Sequence, residues 1–271
     1  MNQLKRLWIL PKPIDLMKIR EQEIGEIIDF ISKRSKNFTK PKIITIGGYG
    51  LRAFIPFSRY TRDCDFVLKK KDGWYLDQIK NWLPKDVSVE AFNKEQNHGF
   101  LRAIKPIKFQ RRSIKLAMDF MEGQIRGRTQ EEIIEIDDEF INNSTRTKLL
   151  IGDKEINLFV PSYLDYFILK VVSARPSDIR DIASLVWKND IPSGIKKRIK
   201  KILPYPDIFH RNLKNQIIPD ISDDRFIHSW HGTFISTEFT NNDKNEVIKK
   251  LNHLLYYYCS SQIPPSHPNA S

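Results

Sequence analysis

Asp63 and Asp65 stand in the run Thr-Arg-Asp-Cys-Asp-Phe-Val-Leu from Thr61 to Leu68, fifteen residues beyond the pair Gly47-Gly48. In a β-strand successive side chains point to opposite faces, so the two carboxylates would share one face while Cys64 and Phe66 take the other. Converging hard oxygen donors make half of a magnesium site, because that ion commonly takes one or two carboxylates plus substrate phosphates. A lone Asp-x-Asp is more often a solvated strand face, and a lone Gly-Gly is usually a turn. Their ordered combination implies metal-assisted nucleotidyl transfer.

The elements that must position these residues can be read around them. Lys42 to Ile46 is a short apolar, β-branched run that predicts a buried strand ending at Gly47-Gly48. Glycine lets a backbone approach a ligand closely, and a short helix over Tyr49 to Ile55, closed by Pro56, would turn free N–H groups toward a triphosphate. Arg59, Thr61 and Arg62 precede the carboxylates and would place positive charge beside the phosphates. A third carboxylate is expected on a neighbouring strand, where it would complete a two-metal site and could draw the acceptor's proton. Asp119, in the apolar run Ile114 to Met121, is the candidate, sharing a face with Ala117 and Met121. Glu122 is its rival.

Gly47-Gly48, Arg59-Tyr-Thr-Arg-Asp-Cys-Asp65 and Asp119 resemble the core of the DNA polymerase β-like nucleotidyltransferase superfamily, and within it the AbiEii/MenT-type toxin branch. The downstream pattern of that branch is matched by Pro161-Ser-Tyr-Leu164, Lys170, Arg175 and Arg180-Asp181, so the resemblance spans roughly residues 40–190. It implies that Asp63 and Asp65 hold magnesium, with manganese as the alternative ion. It further implies that Asp119 assists the acceptor and that Lys170 and Asp181 contribute to the nucleotide pocket. Two positions depart from the pattern: Ser184 stands where a second Asp often follows Arg-Asp, and Cys64 separates the paired aspartates in place of an aliphatic residue. A buried thiol packs like a small hydrophobe, so the second change is harmless.

Read without the family, Lys170 lies beside the apolar stripe Leu164, Phe167, Ile168 and Val171 of a helix opened by Pro161 or Ser162. A lysine there is ordinarily a snorkelling surface residue. Pro176 predicts a break after Arg175, with Ser177 capping a second helix, so that Lys170 and Asp181 meet only through tertiary packing.

Composition bounds the partners. The 271 residues carry 45 Lys+Arg against 33 Asp+Glu, a formal net charge of +12, which favours a polyanion. Basic clusters lie at Arg111-Arg112, at Arg126 to Arg128 and most densely at Lys196 to Lys201, where Ile195, Ile199 and Ile202 predict a helix with an apolar seat and a basic outer face able to track an RNA backbone. Apolar runs fall short of the ~20 residues that span a bilayer, and no secretory signal is convincing at Met1 to Leu10. Cys64 and Cys259 form no disulfide framework, which fits a reducing cytoplasm. His228-Ser-Trp-His231 has a loose metal-like spacing but no partners, and is read as structural or surface.

The expected fold is α/β (α+β): a nucleotidyltransferase-fold core of mixed β-sheet flanked by helices, followed by a helical C-terminal region. Residues 1–160 would form the core, opened by an amphipathic helix over Met17 to Ser35, and residues 161–260 the helical region. Residues 261–271, rich in Pro and Ser, are expected to be disordered. Strands are expected at 42–47, 62–69, near 87–92, near 98–105 and at 113–120, then over Glu131 to Ile136 and Lys148 to Val160, with helices at Trp74 to Leu83 and Asn245 to Cys259. The expected activity moves NMP from an NTP to an acceptor hydroxyl. By the resemblance and the charge, that acceptor is RNA, specifically a tRNA 3′ end, and the resemblance adds a toxin role with an antitoxin protein as partner. A protein or small-molecule acceptor, or a nucleotide- or RNA-binding module without turnover, are the competing readings.

Overall fold

The computed structural model of the chain describes residues 13–55, 59–109 and 112–260. Expectations for residues 1–12, Pro56, Arg111 and residues 261–271, and for the Arg112 and Cys259 side chains, lie outside the described residues. In chain order the elements are α1 (Pro13–Arg34), β1 (Ile44–Ile46), α2 (Gly47–Leu51), β2 (Asp63–Leu68), α3 (Tyr75–Trp82), β3 (Ser88–Lys94), β4 (Gly99–Phe109), β5 (Arg112–Glu122), β6 (Gln124–Arg126), β7 (Ile133–Glu135) and α4 (Asp138–Asn142). There follow β8 (Thr145–Ile151), β9 (Lys154–Val160), α5 (Tyr163–Ser173), α6 (Pro176–Asn189), α7 (Ile195–Ile202), α8 (Asp207–Asn212), a π-helical turn (Leu213–Ile217), α9 (Ile218–Ser222), α10 (Phe226–Phe234) and α11 (Asn241–Ser260). The fold is mixed α/β.

Seven strands form one sheet in the order β3-β4-β5-β2-β1-β9-β8, with β6 and β7 as a separate hairpin. β2 pairs with β5 and β1 with β9 in parallel, and the remaining neighbours run antiparallel. Alternation gives each central strand two apolar faces. On one, Cys64, Phe66 and Leu68 join Met118 and Phe120 and receive α1 through Ile24, Ile27, Ile28 and Ile31, whose spacing makes a single helical stripe. On the other, Ile44, Ile46, Val67 and Met121 receive the C-terminal helices through Tyr166, Phe167 and Ile182. Helices therefore flank the sheet on both sides.

Several local expectations are corrected. The short helix after β1 begins at Gly47 and ends at Leu51, earlier than the 49–55 reading, because the turn itself is the first helical turn. The Lys148 to Val160 run belongs to a hairpin that begins at Thr145 and consists of two strands, β8 and β9, since Gly152 adopts φ 64° and reverses the chain. Ser177 does not cap α6. Arg175 is the N-cap and Pro176 occupies the first turn, a position where its missing N–H costs nothing. β6, α4 and the helices between α7 and α11 had no clear periodic signal.

The basic run on α7 also differs from a uniform outer face. Arg198 turns inward, 3% exposed, and its Nε donates to Asp165 Oδ1 at 2.6 Å while both terminal nitrogens reach Asp137 at 2.8 Å. Burial alone would push the Asp137 carboxyl up, but Arg198 and the Phe140 N–H outweigh it and hold the carboxyl at about 2. Removing one partner of a buried ion pair strands the other, so Arg198→Ala should cost about 3–5 kcal/mol in urea unfolding at pH 7. The depressed Asp137 value contributes stability present above the ordinary carboxylate range and lost as pH falls toward 2, so the difference between the two proteins should narrow in acid. A variant as stable as the parent at pH 7 would exclude Arg198 as a tether of α7 to α4 and α5.

Candidate active site

The three aspartates come together on the sheet face covered by the C-terminal helices. In the parallel β2–β5 pair, Asp63 lies opposite Ala117 and Asp65 opposite Asp119, and alternation turns all four to one side. Glu122 falls on the other face. Its oxygens accept from the Tyr75 and Leu76 N–H groups at 3.1 and 3.0 Å, capping α3, which removes it as the third carboxylate of this cluster.

β1 delivers the glycine pair to the same place, because its last residue, Ile46, lies opposite Asp65. Gly47 has φ 63°, and a Cβ there would stand 2.2 Å from Asp65 Oδ2. A Cβ on Gly48 would stand 2.9 Å from Thr61 Cβ. The absence of both side chains is what lets Asp65 and Thr61 lie against the turn. Thr61 Oγ1 donates to the Asp63 carbonyl at 3.1 Å, and Tyr166 Oη of α5 donates to the Gly47 carbonyl at 2.5 Å, which ties the turn to the helical layer.

Crowding three carboxylates has an electrostatic consequence. Burial pushes the Asp65 carboxyl up to about 6, the charges of Asp119 and Asp63 add to it, and Lys170 and Arg175 oppose it. Asp63 is raised for the same reasons, burial first and Asp119 second. Asp119 is held by Arg102, the residue opposite it on β4, whose Nε and Nη2 reach its two oxygens at 2.8 and 2.6 Å. Among the described residues no three His, Cys, Asp or Glu groups stand in a metal-holding cluster. The donor set nevertheless suits magnesium: three hard oxygen-bearing groups on one face, with like-charge repulsion that a divalent cation would relieve.

A second network forms the opposite wall. Lys170 Nζ lies 2.7 Å from Asp178 Oδ1 and 2.8 Å from Asp181 Oδ2. Arg59 forks onto Asp181 through Nε and Nη2 at 2.8 and 2.9 Å. Burial disfavours the charge on Lys170, but the two carboxylates more than offset it and raise its pKa; burial likewise opposes charge on Asp181, and Lys170 and Arg59 win and lower it. Lys170 and Asp181, separated in sequence by the break at Ala174 to Pro176, are thus brought into contact. Arg59 directs its fork to Asp181, whereas Arg62 and Arg175 are exposed and make no ion pair among the described residues.

Two cavities meet at these groups. One, about 900 Å³, is lined by Gly47, Gly48, Arg59, Thr61, Arg62 and Arg180. The other, about 310 Å³, is lined by Phe100, Arg102, Asp119, Ile125, Ile134 and Arg126. Gly47, Asp63, Asp65, Lys170, Arg175 and Asp178 border both. Asp178, Arg102 and Tyr166 escaped the sequence reading. Asp178 sits three residues before Asp181, and Tyr166 four before Lys170, so helical spacing could have found both. Arg102 had no local signal, because only strand register sets it opposite Asp119.

No protein-family model matches the chain, and no curated protein matches it. Among solved structures it is similar to the Helicobacter pylori protein JHP933, at 12% identity over 91% of this chain and 98% of that one, with a TM-score of 0.42. It is also similar to an H. pylori chain described as a candidate nucleotidyltransferase, at 11% identity over the same shares and a TM-score of 0.42. Likenesses this distant identify neither family nor activity, and the side-chain geometry carries the functional conclusion.

The raised Asp65 value has a measurable sign. Its ordinary value is 3.8 and its folded value about 6, so the folded protein binds this proton more tightly and the metal-free protein loses stability as pH rises between the two. Asp65→Asn keeps the shape and carries no charge. In chelator-treated protein at pH 7 it should be more stable than the parent by about 1–2 kcal/mol after discounting for solvent screening, with the gap closing near pH 4. A lower urea midpoint for the variant at pH 7 would refute the repulsion.

Proposed function

We propose that the chain is a magnesium-dependent nucleotidyltransferase that moves NMP from an NTP to an acceptor hydroxyl and releases pyrophosphate. One observation carries the reading: Asp63, Asp65 and Asp119 share one face of adjacent parallel strands, against the Gly47-Gly48 turn, where two cavities join. Asp63, Asp65 and Asp119 would hold the metal, which requires Asp119 to exchange Arg102 for the ion. Bound magnesium supplies Lewis acidity toward the acceptor hydroxyl and neutralises charge on the leaving pyrophosphate.

The chain's own residues account for the rest. The acceptor oxygen forms a bond to the α-phosphorus as the bond from that phosphorus to the β-bridging oxygen breaks, and the hydroxyl proton passes to Asp119. In this reading the Gly47-Gly48 backbone and Thr61 seat the triphosphate, and the exposed Arg62 and Arg175 guanidinium groups meet its charge. Lys170 borders both cavities, and its ammonium has a third N–H beyond those facing Asp178 and Asp181 to offer the nucleotide as a hydrogen-bond donor, while Asp178 and Asp181 hold it in place. We divide the chain accordingly: residues 1–160 supply the carboxylates and residues 161–260 the lysine wall. The net charge of +12 favours RNA as acceptor, with a tRNA 3′ end as the specific proposal. A toxin role held in check by an antitoxin protein is proposed on the sequence resemblance. Among the described residues no helix is long and apolar enough to cross a membrane.

The protein incubated with magnesium, each labelled NTP in turn and total cellular RNA should place label in an RNA of tRNA size. Chelation, or the double change Asp63→Ala/Asp65→Ala, should reduce that label by at least about a hundredfold. Label on protein would move the acceptor to a protein hydroxyl. No label with any NTP, and no pyrophosphate, would end the transferase reading.

A further inference from the structure

Away from the carboxylates, α7 and α11 enclose a cavity of about 710 Å³. Its floor is apolar, from Ile191, Ile195 and Leu254, and every charged side chain lining it is a lysine: Lys196, Lys197 and Lys200 on α7 and Lys250 on α11, beside His253. Tyr257, 60% exposed, stands at its border with Lys196 Nζ 6.0 Å from its ring centroid.

The charges on α7 are sorted by face. Arg198 points inward to Asp137 and Asp165, and Lys201 pairs with Glu139 at 2.7 Å. Lys197 and Lys200 are exposed toward the groove and have no ion pair among the described residues, while Lys250 has only a 3.4 Å contact with Asp190 at the edge. Arg198 and Lys201 are thus neutralised, and the positive charge of Lys197 and Lys200 is left over an apolar trough. That combination matches a polyanion whose repeating charges lie outside flat apolar groups: phosphates along the lysines, and bases against Tyr257 and the trough floor. An acidic helix would satisfy the charge, but the aromatic border favours bases.

The groove is also close enough to serve the carboxylate site. Gly194, on its rim, faces Leu164 at the start of α5, where a Cβ on the glycine would stand 3.8 Å from Leu164 Cδ2, and Lys170 lies six residues along that helix, about 9 Å by helical rise. We propose that the α7–α11 groove is an RNA-binding surface that holds the body of the acceptor while its end reaches the carboxylates. The choice of polymer rests on the transferase reading with an RNA acceptor.

The test uses Lys197→Glu/Lys200→Glu, two exposed positions outside the candidate active site, with Lys36→Glu/Lys85→Glu as a control of equal charge change. Thermal melts establish that both fold. Binding of a fluorescent tRNA-sized RNA is followed by anisotropy across salt concentrations, and transfer to that RNA is compared with transfer to a dinucleotide. For the groove variant alone, RNA affinity should fall at least about tenfold, with the slope of log affinity against log salt reduced by about 1.5. KM for RNA should rise while the dinucleotide reaction is unchanged. RNA affinity and salt slope equal to the parent's would overturn the proposal, whatever the transfer activity. So would unchanged RNA binding combined with lost binding of a polyglutamate tracer, which would assign the groove to an acidic protein. If RNA affinity falls as expected and the parent protein transfers nothing to either acceptor, the groove stands and the transferase reading fails.

Discussion

Like charge held at close quarters is the constraint around which this molecule is arranged. Parallel pairing of β2 and β5 sets Asp65 directly opposite Asp119, with Asp63 two residues along the same face. Carboxylates so close repel, and partial burial strengthens the repulsion by thinning the solvent between them. The surrounding elements answer with cations: Arg102 from β4, Arg62 from the segment before β2, Lys170 from α5 and Arg175 at the head of α6. Each answers the same local excess of negative charge from a different direction.

What keeps the carboxylates in place lies behind them. The same strands that show acids to the helical side show aromatic and aliphatic groups to the other, where Phe66 stacks on Phe120 at 5.0 Å and on Phe38 at 6.3 Å between ring centroids. A packed layer resists small displacements, because few alternative rotamers fill the same volume. One strand face thus supplies rigidity and the other chemistry. The buried Lys170–Asp178–Asp181–Arg59 network does a comparable task for the helices. Such ion networks add little net stability, but their directional hydrogen bonds admit few geometries; this one joins α5, α6 and the segment before β2, and Tyr166 separately ties α5 to the turn at Gly47.

The excess of basic residues divides along the same lines. Arg59, Lys170 and Arg198 are neutralised inside the fold, whereas Arg62, Arg175, Lys197 and Lys200 face solvent beside a cavity. Net charge alone does not separate these groups. Position relative to buried carboxylates does.

Much of the candidate site was legible because its signals are local. Alternation along Asp63-Cys64-Asp65 assigns faces without any knowledge of neighbours, glycine at 47 and 48 marks a backbone that cannot carry side chains, and Pro176 must interrupt a helix wherever the chain travels. Those features follow from covalent geometry. The α6 cap, the reversal at Gly152 and the inward turn of Arg198 were misread or missed, since each depends on a competition that neighbouring residues do not settle. The sequence alone determined that two acids share a face behind a glycine turn and that a strongly basic chain surrounds them. Only the tertiary structure decided that Asp119 stands opposite Asp65 in the grip of Arg102, and that Asp178 and Asp181 close on Lys170 across a helix break. Strand register and helix packing bring those groups together over long sequence separations, and such contacts depend on the energy of the whole fold.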